Sequence, residues 1–256
     1  MFNSFALKRD QILVLIAKDF KLKYNSTALG FAWSMIVPFF TSLIYYFVFG
    51  VMMRWDAENY LLYLVSGTFM WQFFANVIVM NGGVLMGNAS LLKKTSFDRR
   101  LLIWGTFFTE SIHFLLTIPI LILVMFFYGV TPDWVTLIPN VVISMVMLAF
   151  FAVGVSYAYA AANLYFRDLE RIINILLMSW MFLSPVFIPV SNVPEMYHWI
   201  YDVNPLAGIM NIWRDVFYRP GWHPETWLSL AVTSVVVFVV GRWIFMKLDP
   251  RFAEMM

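Results

Sequence analysis

Ionisable residues inside apolar stretches are the first candidates for chemistry in this sequence. Glu110 and His113 stand three residues apart in one such stretch, so a helix would place both on one face. Charges at membrane depth are costly and often functional, which makes a proton relay one interpretation. The other is a hydrogen-bonded structural pair near an interface, because Glu110 follows the charged Arg100 by only about 15 Å of helix rise.

Other common kinds of site are missing from the sequence. The three histidines, His113, His198 and His223, lack metal-ligand spacing, and neither HExxH nor GxSxG occurs. Cysteine is absent, which excludes disulfides and thiolate metal sites. Without a GxxxxGK[ST] loop the chain has no P-loop for ATP, so any ATP that drives it is expected to bind another polypeptide. A net charge of +2 does not by itself indicate a polyanionic partner, and no nucleic acid is expected.

The segment 183–205, LSPVFIPVSNVPEMYHWIYDVNP, breaks an apolar stretch with prolines. Proline interrupts the backbone hydrogen bonds of a helix, and lipid tolerates such breaks only where protein or a water-filled cavity covers them. The pattern therefore predicts a helix that ends irregularly near the far face of a membrane. Two short amphipathic helices are predicted after it, at 193–201 and 206–217.

The composition indicates an all-α integral membrane protein, because 62% of residues are hydrophobic and only 12% are charged. Six apolar stretches are long enough to cross a bilayer, which takes about 20 helical residues. They lie near 29–53, 61–83, 101–128, 135–162, 172–189 and 227–246. The first is too long for the apolar region of a signal peptide and is expected to remain as a span. We divide the chain into an N-terminal segment, 1–27, and a six-span domain, 28–256, with an external segment near 190–224.

Positive charges predict the orientation, since cytoplasmic loops are rich in Lys and Arg. They are concentrated before the first span, in the loops after the second and fourth spans, and after the sixth. The opposite side has only Arg54, Arg214 and Arg219, so both termini are expected in the cytoplasm. Residues 9–24 combine an apolar side with a charged side, which indicates a helix lying in the cytoplasmic interface.

Four stretches together resemble one family. They are 15–38 (LIAKDFKLKYNSTALGFAWSMIVP), 63–78 (YLVSGTFMWQFFANVI), 91–102 (LLKKTSFDRRLL) and 167–218 (beginning RDLERIINILLMSWMFLSPVFIP). The chain is similar to the transmembrane subunits of ABC-2 type exporters, in the branch that exports O-antigen, capsular polysaccharide and teichoic acid. Lys18 and Lys23 stand where that family often has arginine, and lysine keeps the charge but loses the bidentate fork.

The resemblance implies a multi-pass protein of the bacterial inner membrane that forms a homodimer. Two separate ATPase subunits would bind ATP and Mg²⁺, and a lipid-linked glycan would pass between the two permease copies, with envelope export proteins as further possible partners. It favours an ATPase-docking surface of Lys93, Lys94, Phe97, Asp98, Arg99, Arg100, Arg167 and Asp168. The alternatives are that the charges of the first loop serve topology alone and that Arg167 and Asp168 form a solvated turn with local ion pairs. The resemblance also gives the broken segment a role as an external gate, formed by Ser184, Pro185, Pro189, Asn204, Pro205 and Arg214.

Aromatic residues near the spans are candidates for lining the channel, because sugar rings pack their apolar faces on aromatic rings. The candidates are Trp33, Tyr45, Tyr46, Trp71, Phe74 and Trp180. Ordinary packing in the core or against lipid is the alternative for each. Two other functions stay open at this point: an ABC-2 exporter of a lipid or small drug, and a membrane-embedded glycosyl- or acyltransferase. The transferase would need a clustered acid and base, which the sequence does not show.

Overall fold

The chain is helical along almost all the length that the structure describes. The computed structural model describes residues 2–25, 29–55, 58–94, 97–218 and 224–252, with side chains except at 2–5, 93–94, 134, 224–225 and 251. The α-helices in these ranges are α1 (Phe2–Tyr24), α2 (Trp33–Tyr45), α3 (Tyr60–Gly82), α4 (Val84–Gly87), α5 (Ala89–Lys94), α6 (Arg100–Phe127), α7 (Trp134–Tyr165), α8 (Leu169–Phe182), α9 (His198–Asp202), α10 (Pro205–Tyr218) and α11 (Pro224–Leu248).

Five helical segments in the described ranges are long and apolar enough to cross a membrane. They are Gly30–Met52, Tyr60–Gly82, Arg100–Phe127, Val135–Tyr165 and Thr226–Leu248. The first joins a short 3₁₀ turn, α2 and a π-helical segment, Tyr46–Met52. These five agree with the spans predicted from the sequence. The stretch predicted as the fifth span forms only the 14-residue α8, which rises about 21 Å and is short of the ~30 Å hydrocarbon core.

Helix α3 lies at the centre and contacts α2, α6, α7, α8 and α10. Its sequence is apolar on every side, which is typical of a helix enclosed by others. Helices α7 and α11 form the most extensive pair. Their backbones touch at Gly154 and Gly241: a Cβ built on Gly241 would overlap the Gly154 carbonyl. Small residues allow this close approach between membrane helices.

Helix α1 packs along the first half of α6. Leu15 is buried against Gly105, where a larger residue would press on the leucine side chain. The predicted interfacial helix at 9–24 is thus part of a longer helix that is fastened to the bundle. On its outward side Leu13, Val14 and Leu22 stay exposed, as expected for a helix that also contacts the membrane interface.

The chain after α8 is irregular and then re-enters the bundle. Helix α8 ends at Phe182, before the Ser184-Pro185 pair, and turns of 3₁₀-helix follow at Val190–Asn192 and Glu195–Tyr197. The two predicted short helices correspond to the stretch ending in α9 and to α10. Helix α10 is mostly buried and packs against α7, α11 and α3, so this segment is a tightly packed part of the fold.

Candidate functional site

A cavity of about 480 Å³ opens between α1, α2, α3 and α6. We call it the inner cavity. It lies towards the half of the bundle that carries the basic loops, since the end of α1 and the start of α2 border it, while α6 contributes residues from its middle. Its lining mixes aromatic and polar side chains: Lys23, Tyr24, Trp33, Ser34, Val37, Pro38, Phe69, Gln72, Phe73, Asn76, Glu110, His113 and Thr117.

A triad of ionisable groups forms one wall of the inner cavity. Lys23 Nζ lies 3.2 Å from Glu110 Oε1 and 3.1 Å from His113 Nδ1, while His113 Nδ1 lies 3.3 Å from the same carboxylate oxygen. Glu110 and His113 are buried. The i, i+3 pair predicted from the sequence therefore exists, and α1 adds a lysine to it. Phe20 and Tyr24 cover the imidazole ring, with centroids 5.0 and 5.6 Å away.

Asn204 organises the end of the bundle opposite the basic loops. Its side-chain amide donates to the Leu183 carbonyl at 3.1 Å and to Ser184 Oγ at 2.9 Å. Its side-chain oxygen accepts from the Trp180 indole at 2.9 Å and from the Leu206 backbone amide at 3.1 Å. One asparagine thereby satisfies the backbone where α8 ends and the N-terminus of α10.

Arg214 continues this arrangement from α10 and is only 4% exposed. Its guanidinium donates to the Tyr63 carbonyl at 2.9 Å, to the Val186 carbonyl at 3.2 Å, and to the Pro185 carbonyl. It also donates to Ser66 Oγ at 3.4 Å and lies 3.6 Å from the centre of the Tyr63 ring. A side chain at Gly67 would overlap the guanidinium, so the glycine provides the space that the arginine occupies.

These contacts form one set, which we call the outer network: Tyr63, Ser66, Trp180, Ser184, Pro185, Asn204 and Arg214. Tyr63 completes it, because its hydroxyl donates to the Pro185 carbonyl at 2.7 Å. Five of the six predicted gate residues belong to this region: Ser184, Pro185, Asn204, Pro205 and Arg214. Pro189 instead lines an adjoining cavity of about 680 Å³. Whether the region opens during transport stays a prediction.

The basic loop before α6 is tied to both ends of the chain. Asp98 pairs with Arg100 at 2.7 Å and with Lys8 of α1 at 3.3 Å. Arg99 pairs with the Asp249 carboxylate at 2.6 Å and lies over the Phe252 ring. We call this set the termini cluster. The charged residues of the termini cluster are thus paired within the chain. Phe97, from the same loop, is partly buried against the core. The side chains of Lys93 and Lys94 lie outside the described part of the structure.

The loop between α7 and α8 differs from the termini cluster in that its charged side chains are exposed. Arg167 and Asp168 are exposed, and the described residues contain no ion pair for either. Phe166 beside them is 69% exposed, although sequence reasoning did not select it. An aromatic residue within a charged loop was the available signal. Tyr165 donates to the Leu248 carbonyl at 3.4 Å, which places this loop beside the termini cluster.

The predicted channel residues fall into two groups in the single chain. Trp33 is 46% exposed and lines the inner cavity, and Tyr45 and Tyr46 are half-buried. Trp71 and Phe74 are instead buried in the core, and Trp180 packs edge-on to Phe74 with centroids 5.3 Å apart. These three pack within the bundle, and a lumen role for any of the six stays a prediction.

Comparison with known proteins agrees with this architecture. The family model described as "ABC-2 type transporter" matches residues 10–218. The chain is 37% identical over 249 residues to the O-antigen export system permease protein RfbA of Klebsiella pneumoniae, covering 96% of this chain and 95% of that relative. It is 28% identical to the RfbA protein of Myxococcus xanthus, again covering 96% and 95%. It is 20% identical to the polysialic acid transport protein KpsM of Escherichia coli, covering 93% of each chain. The chain belongs to the ABC-2 type transporter family.

Proposed function

We propose that this chain is the transmembrane permease subunit of an ATP-driven exporter that moves a lipid-linked polysaccharide across the bacterial inner membrane. The observation that carries the proposal is the near full-length match to O-antigen export permeases. The missing P-loop supports a permease whose ATPase is a separate subunit. The ATP and Mg²⁺ required for transport would then bind in that partner.

We infer six crossings with both termini in the cytoplasm. Lys8 of α1 and Asp249 of the C-terminal turn meet at the termini cluster, so the two ends of the chain lie on one side. Five long spans alone would leave them on opposite sides. Helix α8, continued by the turn to Pro189, supplies the further crossing. Its shortness fits an outer end where α10 enters the bundle and fills the remaining depth.

The ATPase is proposed to dock on the cytoplasmic loops. The Phe166–Asp168 segment offers an exposed aromatic ring beside two exposed charges, which suits a mixed contact with a groove on a partner. The termini cluster lies next to it and gives this face a rigid base. Phe97 and the basic residues before α6 would contribute the rest of the contact.

A second copy is proposed to complete the channel. Helix α2 exposes large apolar side chains, among them Phe40, Ile44 and Phe47, and α8 exposes Ile175 and Phe182. Faces of this kind suit either lipid or a partner helix. The lightly packed α8 and the peripheral α2 are the helices with most room for a subunit interface.

The proposed function is tested in a strain that lacks this gene. We expect surface polysaccharide to disappear and lipid-linked glycan to accumulate inside the cell, with both effects reversed by the wild-type gene. Normal surface polysaccharide in the deletion strain would contradict the proposal and favour export of a lipid or small molecule instead.

The docking surface is tested by co-purification with the ATPase. Arg167→Glu should weaken capture of the ATPase because it reverses an exposed charge that forms no ion pair with the described residues. Arg54→Glu is the matched control, since Arg54 is exposed on the opposite side of the protein. Equal capture by both variants would place the contact elsewhere.

A further inference from the structure

The inner cavity contains polar groups that nothing in the described chain satisfies. Gln72 and Asn76 lie one turn apart on α3, face the cavity, and have no hydrogen-bond partner among the described residues. His113 Nε2 is buried without a partner as well, although its Nδ1 is engaged. Three unmatched polar groups on neighbouring helices in one cavity indicate a place where a polar ligand is held.

Their depth makes this observation stronger. Gln72 is near the middle of the 23-residue α3, where lipid offers no hydrogen bonds to a side-chain amide. Polar side chains at this depth are rare unless they face a cavity or a partner. Elsewhere on α3, Ser66 donates to the Tyr63 carbonyl and the Asn81 amide nitrogen to the Val77 carbonyl. Thr68 Oγ1 and Asn81 Oδ1 are buried without a partner among the described residues. On α3, Gln72 and Asn76 are the amide side chains with no partner at all among the described residues, and both face the inner cavity.

The chemistry of the walls discriminates between ligands. The charges of Lys23 and Glu110 cancel, and the buried Glu110 carboxylate would repel a phosphate while it accepts hydrogen bonds from hydroxyl groups. Amides and an imidazole offer donors and acceptors together, and Trp33 and Phe73 offer aromatic surface. Such a mixed set matches a neutral polyhydroxylated ring, whose C–H faces pack on aromatic side chains. The volume lies in the ~300–1,000 Å³ range of small-molecule sites.

We propose that the inner cavity binds the sugar residues of the exported glycan that lie next to its lipid anchor. Binding would occur on the cytoplasmic side, before these sugars enter the channel. This inference rests on the proposed function and names part of its substrate-binding surface. Gln72, Asn76 and His113 would contact hydroxyl groups, Glu110 would accept from one of them, and Trp33 would pack on a ring.

Photo-crosslinking in cells that make the glycan tests this placement directly. Trp33 is replaced by benzoylphenylalanine, with Phe108 replaced in the same way as the control. Phe108 lies on α6 at the depth of Glu110, is 39% exposed, and does not line the cavity. We expect the Trp33 position to capture a glycan-bearing species that an anti-glycan blot detects. Capture of phospholipid alone at Trp33, or equal capture of glycan at both positions, would overturn the proposal.

A second experiment uses variants that preserve helix and volume. Gln72→Leu and Asn76→Leu remove the polar groups, and each should lower the rate of surface glycan appearance about fivefold, as expected for loss of one hydrogen bond. Met80→Leu is the matched control, because Met80 is exposed one turn further along α3 and lies outside the cavity. Wild-type export by the Gln72→Leu/Asn76→Leu double variant would contradict the sugar contacts.

The two proposals fail in different ways. If the wild-type gene does not restore surface glycan to the deletion strain, the proposed function is wrong. If it does, but the Trp33 position captures no glycan and the double variant exports normally, only the cavity assignment is wrong.

Discussion

The outer network and the inner cavity both place charged residues inside an apolar bundle, and they differ in how fully the polar groups around those charges are hydrogen-bonded. Around Arg214 and Asn204, side-chain donors meet backbone carbonyls and hydroxyl groups, and the Asn204 side-chain oxygen accepts from a backbone amide. Around Glu110, the charged groups are paired, but the Gln72 and Asn76 amides have no partner in the described part of the chain. A saturated set of hydrogen bonds holds backbone segments together, whereas an unsaturated set leaves capacity for a ligand. Hydrogen-bond satisfaction therefore distinguishes these two regions. It is not a rule for the whole bundle, since Asn140 is also unmatched among the described residues and lies outside the cavity.

The largest effect is expected from the outer network. Arg214→Leu would leave several buried carbonyl groups unpartnered, each costing about 1–3 kcal/mol. We expect destabilisation of at least about 3 kcal/mol and a fall of roughly 6–12 °C in the unfolding temperature in detergent. Arg171→Leu is the control, because Arg171 is exposed. A variant as stable as the control would show that the network does not hold the fold.

A smaller loss is expected at Asn204, which serves two donors and two acceptors. Asn204→Ala should cost about 2 kcal/mol, because the end of α8 and the start of α10 lose a shared partner. Asn204→Asp keeps the acceptor oxygens, so its stability should lie between that of Asn204→Ala and that of the wild type. Thermal unfolding of the three proteins measures this order of stability. Equal stability of the Asp and Ala variants would show that the bonds accepted from Trp180 and the Leu206 amide contribute nothing.

Substitutions in the inner cavity should affect export more than stability, the reverse of those in the outer network. Glu110→Gln keeps the shape but removes the charge, so stability should fall by about 1 kcal/mol while export falls about fivefold. Unfolding temperature and surface glycan are measured on the same variant. A large loss of stability with normal export would make this triad structural, like the outer network.

The smallest effect is expected in the termini cluster. Burial alone would raise the pKa of Asp98, but its bonds to Arg100 and Lys8 hold that pKa below its ordinary value of 3.8. A carboxyl with a lowered folded-state pKa stabilises the protein at neutral pH, and the contribution is lost as the pH falls through that folded-state value. Asp98→Asn should cost at most about 1 kcal/mol at pH 7. The gap between variant and wild type should close in unfolding experiments below pH 4, and a gap that persists there would exclude this linkage.

Much of the fold could be predicted because membrane spans are local in sequence. Length and apolarity identify a span without knowledge of its neighbours, and five predicted spans correspond to helices of the right length. The fifth was harder, since Pro185 ends the stretch but does not show that α8 stops at Phe182. The sequence also cannot reveal that α10 turns inward, because an amphipathic helix suits an interface and a bundle equally well.

Whether a site residue could be predicted depended on how far its contact partner lies along the sequence. Glu110 and His113 were found by spacing, whereas Lys23, some 90 residues earlier, was not. Arg214 was selected, but its partner Tyr63 was not, because only the tertiary fold joins them. Aromatic residues posed a different difficulty: Phe74 and Trp33 have similar sequence surroundings, although the first is buried and the second is half exposed.

The glycine contact between α7 and α11 has a mechanical consequence. Gly154 and Gly241 bring two backbones together with no side chain between them, and α7 and α11 share the most extensive helix contact. Separating the two helices would cost this packing, so we expect the pair to move as one unit. Force applied at the Phe166–Asp168 loop would be transmitted to α8, the lightly packed helix on its other side. If the ATPase docks on this loop as proposed, work from ATP hydrolysis would be delivered to α8 rather than to the α7–α11 pair.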